Sequence, residues 1–172
     1  MNSYKLTLLA ILASLAVLGR YIFAFLPNVQ PVTSLIIICG LLLGPISAML
    51  LAILVTFLSN MLLGMGIWAV WQFISWALIG LISGILRKQL SNAPIALLAV
   101  YASLCGFLYG LVISLTSYQI SGHFWPYYLA GLPFDTQHAV GNALFILLFY
   151  PVFNFLFKRY INSNFPNMTR DI

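Results

Sequence analysis

The sequence predicts an all-α, polytopic membrane protein with six transmembrane helices and both termini on the cytoplasmic side. Three observations predict it. The chain of 172 residues is 63% hydrophobic and 5% charged, where soluble domains are roughly 45–50% apolar and about 25% charged. Nine charges cannot cover the surface of a soluble fold of this size. The apolar residues fall into segments close to the roughly 20 residues that a spanning helix needs. And six of the seven basic residues fall on one side of the segment pattern, which the positive-inside rule makes cytoplasmic. The formal net charge of +5 does not point to nucleic acid, because the basic residues are scattered and form no helix or stripe. They read as topology signals.

The first span is expected from about Lys5 to Phe25. M-N-S-Y-K followed by an apolar run resembles a signal peptide, but no small-residue cleavage site follows, so it reads as an uncleaved span. The second, Val32 to Leu43, stops at Gly44-Pro45. At about twelve residues it is roughly 18 Å of helix, short enough to be tucked against its neighbours. The third runs from Ile46 to Leu63, the fourth from Trp71 to Leu86, the fifth from Ile95 to Ser117 and the sixth from Thr136 to Phe157. No repeat is evident, and residues 1–172 read as a single domain. Lys5, Arg87, Lys88, Lys158, Arg159 and Arg170 mark the inner side, leaving Arg20, Asp135 and both histidines outside.

Three connections then build the external face: Leu26–Pro31, Gly64–Val70 and an 18-residue stretch from Tyr118 to Asp135. A loop of that length is usually functional or disordered, and its aromatic content argues against disorder. The candidate ligand-binding residues gather there: Arg20, Asn28, Gln30, Asn60, Trp68, Trp71, Gln72, Tyr118, His123, Trp125, Tyr127, Tyr128, Asp135, His138 and Asn142. Aromatic belts mark both interfaces of most membrane proteins. A one-sided cluster mixed with amides also has the composition of a pocket, with apolar walls and a few orienting polar groups. Arg20 has two readings. It snorkels to the headgroups, or it pairs with Asp135 or a ligand anion.

Catalysis is poorly supplied. Asp135 is the only acid outside the C-terminal tail, so there is no carboxylate pair, and no phosphate loop or H-E-x-x-H motif is present. His123 and His138 are too few for a zinc site. Spans without ionisable residues near their midplanes do not suit an ion-coupled carrier. Cys39 and Cys105 lie inside apolar segments and read as small buried hydrophobes. Small residues four apart recur at Ala10/Ser14, Ala48/Ala52, Gly80/Gly84 and Gly106/Gly110. Such pairs let helices approach closely, within the bundle or against a partner's helices.

Three segments carry a family resemblance: R-Y-I-F-A-F-L-P-N-V-Q-P-V-T at Arg20–Thr33, G-L-L-L-G-P at Gly40–Pro45, and S-N-M-L-L-G-M-G-I-W-A-V-W-Q at Ser59–Gln72. With the six-span layout, the chain resembles the substrate-binding (S) components of energy-coupling factor (ECF) vitamin transporters. It is most similar to the branch associated with cobalamin uptake in Gram-positive bacteria. The resemblance implies a non-enzymatic subunit of the plasma membrane, with no cofactor of its own. Such a subunit binds its vitamin outside, docks on a transmembrane coupling (T) protein with two cytoplasmic ATPases, and topples to deliver it. Docking patches of Ala-x-x-x-Ala type are implied at Ala48/Ala52, with Ala10 and Ser14 a departure from that form. Two alternatives stand beside it: an S component for another vitamin such as pantothenate or riboflavin, and a structural membrane protein of envelope assembly.

Overall fold

The computed structural model describes residues 3–164, with side chains from 5 to 159. Arg170 lies outside the described residues. Among the described residues seven helices follow in order: α1 (Ser3–Ile22), α2 (Val32–Leu43), α3 (Pro45–Leu63), α4 (Trp68–Ile85), α5 (Arg87–Ser91), α6 (Ile95–Ser121) and α7 (Phe124–Asn164). Five of these are long and apolar enough to cross a membrane, and α2 is the shorter apolar helix. The protein is a polytopic, all-helical membrane protein.

Helix α2 is the centre of the bundle. Eleven of its twelve residues are buried, and it packs against all six other helices. A helix apolar all round is one buried all round, and here protein, not lipid, does the burying. Its Val32 and Ile36–Ile38 are poor helix formers by propensity, but an apolar interior leaves backbone groups no partner except one another. Gly44 closes the helix at φ 89°, its N–H bonded to the Gly40 carbonyl at 3.0 Å. Pro45 then opens α3 at a position where its missing N–H is not needed.

Two seams of small residues set the spacing. On one, Gly40, Gly80 and Gly84 bring α2 and α4 close to each other and to the start of α3. A β-carbon at Gly80 would lie 2.9 Å from that of Ala48, and one at Gly84 would collide with the Pro45 backbone. On the other, Gly106 and Gly110 of α6 receive α7 at Asp135, His138 and Ala139. Helix α1 packs on α2 and α3 and exposes Leu6, Ile11, Leu15 and Leu18.

The expected Tyr118–Asp135 loop is helix. Helix α6 continues to Ser121 and α7 begins at Phe124, so the connection is Gly122–His123. Gly122 takes φ 73° and its N–H caps the Tyr118 carbonyl at 2.8 Å, a left-handed closure that favours glycine. Pro126 falls in the first turn of α7, where a proline is tolerated. Pro133 lies inside the helix. Helix α4 starts at Trp68, not Trp71, which shortens the second far-side connection, and α5 is a short helix that the charge pattern did not predict. Lys5, Arg87, Lys88, Lys158 and Arg159 sit at one end of the bundle, hereafter the basic end; Arg20 sits near the other, the far end.

Candidate functional site

Near the far end, all six long or central helices send one or more polar or aromatic side chains into the interior. Arg20 of α1 neither snorkels nor pairs with Asp135. Its Nη1 donates to Ser59 Oγ at 2.5 Å and to Asn60 Oδ1 at 3.1 Å on α3. Its guanidinium carbon lies 5.4 Å from the centre of the Trp76 ring on α4, a cation–π distance. Asn60 Nδ2 donates to Gln72 Oε1 at 2.8 Å, and Gln72 Nε2 to the Tyr109 hydroxyl at 3.2 Å. The Tyr109 ring meets His138 edge-on with centroids 4.7 Å apart. His138 Nε2 lies 2.9 Å from Thr33 Oγ1 on α2, which also accepts from Trp76 Nε1 at 3.0 Å. The contacts close a ring: Arg20, Asn60, Gln72, Tyr109, His138, Thr33, Trp76 and back to Arg20.

The local sequence explains the arrangement. Ser59 can accept from Arg20 because its own hydroxyl proton goes to the Val55 carbonyl at 2.6 Å. Gln72 and Trp76 are one turn apart on α4 and share a face. Asp135, His138 and Asn142 lie three and four residues apart, on the face of α7 turned to α6. Gly110 makes room for Asp135, since a β-carbon there would fall on the carboxylate. Asp135 is 4% exposed yet makes no hydrogen bond or ion pair among the described residues. His138 Nδ1 and Asn142 Oδ1 are buried and unpartnered as well, as are the hydroxyls of Thr56, Ser75 and Thr116. Asn142 otherwise uses its Nδ2 on the Ala102 carbonyl at 3.3 Å, and its own carbonyl accepts from Ser34 Oγ at 3.0 Å. Buried polar groups usually find partners, so this is a polar interior with spare capacity. Asp135 and His138 both lie in the first half of α7, so Asp135 is part of a helix and not of an external loop.

The other candidates separate by exposure. Gln30 is buried, and Asn28 is half-buried with φ 56° in the turn between α1 and α2. Trp71 donates to Gln119 Oε1 at 2.9 Å, tying α4 to the outer part of α6. Trp68, Tyr118, His123, Trp125 and Tyr127 are exposed, and Tyr128 is half-buried in a stack with Phe124 at 5.9 Å. They form a rim, apart from the interior ring. His123 at the α6–α7 turn and His138 inside the bundle are not brought together. Ala10 and Ser14 lie on the exposed face of α1, where Ser14 Oγ donates to the Ala10 carbonyl at 2.9 Å. Ala48 and Ala52 are 0% exposed, turned into the bundle. Thr33, Trp76 and Tyr109 of the ring, and Ser59 beside it, were not among the candidates. Two of them sit inside the quoted motifs, Trp76 is one turn from Gln72, and Tyr109 adjoins Gly110.

The family model for the ECF transporter substrate-specific component matches residues 4–163. The chain belongs to that family. It is therefore a non-enzymatic transport subunit of the cell membrane, one of the S components that associate with an ECF energy-coupling module. No curated protein sequence and no solved structure matches the chain.

Proposed function

We propose that this S component captures a corrinoid, cobalamin in its full form, at the far end of the bundle. By the positive-inside rule that end faces outward. The observation that carries the reading is the two-zone character of this end. An interior ring presents amides, hydroxyls and one arginine held by neutral groups, beneath a rim of exposed aromatics including Trp125 and Tyr127. A large, amide-fringed ligand of little charge finds aromatic area and amide partners there, and meets no charge clamp. A second reading, an acidic vitamin such as pantothenate, is favoured by one feature: Arg20 turns inward and could offer its guanidinium to a carboxylate. Calorimetric titration of a panel of water-soluble vitamins into the full chain, with corrinoid absorbance as a second readout, decides between them. Tight corrinoid binding is expected. Tight binding of another vitamin with none of corrinoid overturns the assignment.

Delivery would follow by docking on a T protein carrying two cytoplasmic ATPases, and by toppling of the S component. The exposed Ala10/Ser14 face of α1 is the small-residue patch available for that contact. Ala48 and Ala52 serve packing within the bundle. Ser14→Trp should therefore abolish vitamin uptake by cells expressing the module while leaving the isolated chain's affinity within about twofold, since exposed substitutions are nearly neutral. Undiminished uptake would remove α1 from the docking surface.

A further inference from the structure

The basic end holds two adjoining clefts that the transport reading does not use. The first, of about 440 Å³, is lined by Lys5 of α1, Arg87 of α5, and Gly44, Pro45 and Ser47 at the start of α3. The second, of about 150 Å³, runs between α1, α2 and α7, and its lining is wholly Leu, Ile and Phe, with Leu8, Leu42, Phe153 and Phe157 among them. Leu43 belongs to both. Lys5 and Leu8 are one helical turn apart, so the charged cleft adjoins the apolar one.

We infer that the two clefts together form a site for an anionic phospholipid. A phosphate headgroup would sit between Lys5 and Arg87, and an acyl chain would lie along the groove between α1 and α7. Three features converge. The two cations come from different helices and face one cleft, as in headgroup sites between transmembrane helices. The first turn of α3 adds backbone N–H groups without intrahelical acceptors, on a helix of 19 residues. The apolar groove offers no polar group to a peptide or a soluble anion, but it suits a hydrocarbon chain. A free phosphate would use the first cleft alone. Only a lipid uses both. The position agrees with the charge pattern, which puts this end on the cytoplasmic side, where anionic lipids concentrate.

Native mass spectrometry of the full chain in mixed phosphatidylglycerol–phosphatidylcholine micelles tests the site. The expected result is retention of phosphatidylglycerol over phosphatidylcholine by roughly 30-fold, the contribution of two basic residues near a charged headgroup. The pair Lys5→Gln/Arg87→Gln should lose that preference, whereas the charge-conserving pair Lys5→Arg/Arg87→Lys should keep it. The pair Lys158→Gln/Arg159→Gln removes the same charge from the same end, outside the clefts, and should keep it too. Leu8→Trp, which fills the groove, should weaken retention of both lipids and leave their ratio unchanged. A melting curve of each variant separates loss of the site from loss of the fold. Equal retention of both lipids by the native chain overturns the site. So does a control pair as damaging as the cleft pair. Ready displacement of the lipid by glycerol phosphate overturns the lipid and leaves a phosphate site.

Discussion

The seam between α2, α3 and α4 and the seam between α6 and α7 are built from the same motif and do different work. Both use glycines four apart. At the first, Gly80 and Gly84 face Ala48, Ile36 and Pro45, so the close approach is apolar and fixed by backbone. At the second, Gly106 faces the Ala139 backbone, but Gly110 faces the end of the Asp135 side chain. There the missing β-carbon makes space for a carboxylate, one turn from a histidine with an unpartnered nitrogen. Small residues thus set helix spacing in both places, and at Gly110 they also admit chemistry. In a membrane protein, where interfaces depend on close packing more than on burial from water, one sequence motif can mark either.

The sharpest way to break this comparison is to add one methyl group at each seam. Gly84→Ala places its β-carbon in the Pro45 backbone, which cannot move aside cheaply. Overpacking of this kind should lower the melting temperature in detergent by roughly 5–10 °C, or prevent folding. Gly106→Ala, also set against backbone, should come close to it. Gly110→Ala meets only the end of a side chain, so its melting shift should be small, under about 3 °C, as Asp135 rotates away. Its effect should appear in affinity for the captured ligand. Equal melting losses at Gly84 and Gly110 would erase the distinction between the seams. The smallest effect is expected from Asp135→Asn. It keeps the shape and removes a buried charge without a partner, so melting should hold or rise. A marked fall would mean that the carboxylate supports the fold.

The sequence showed much of this architecture for physical reasons. Pro31 and Gly44-Pro45 bracket α2 so tightly that its predicted bounds, Val32–Leu43, are the observed ones, and its shortness foretold a helix held among others. Polarity in an apolar chain located Arg20, Asn60, Gln72 and His138, because such groups need partners wherever they end. Two things were hidden. Prolines, glycines and aromatics between Tyr118 and Asp135 read as a loop by soluble-protein rules. In a bilayer, backbone groups without partners are expensive and helices tolerate proline, so the stretch became helix and drew Asp135 inside. Direction was hidden as well. Spacing could not say that Arg20 turns onto Ser59 and Trp76, nor that Ala48 and Ala52 face inward while Ala10 and Ser14 face out. Those outcomes depend on which helices become neighbours.

The central claim is that the interior ring closed by Arg20 is the floor of the vitamin site. It is tested most directly by titrating the captured vitamin into the native chain, Arg20→Ala and Gly110→Ala, with Trp125→Ala as the rim control. For a corrinoid, Arg20→Ala should weaken binding by about tenfold, the loss of one charge-assisted hydrogen bond, and Gly110→Ala should weaken it measurably. Complete loss in Arg20→Ala would favour the acidic-vitamin reading. Native affinity in both interior variants, Arg20→Ala in the ring and Gly110→Ala beside it, would contradict the account and put the site on the rim.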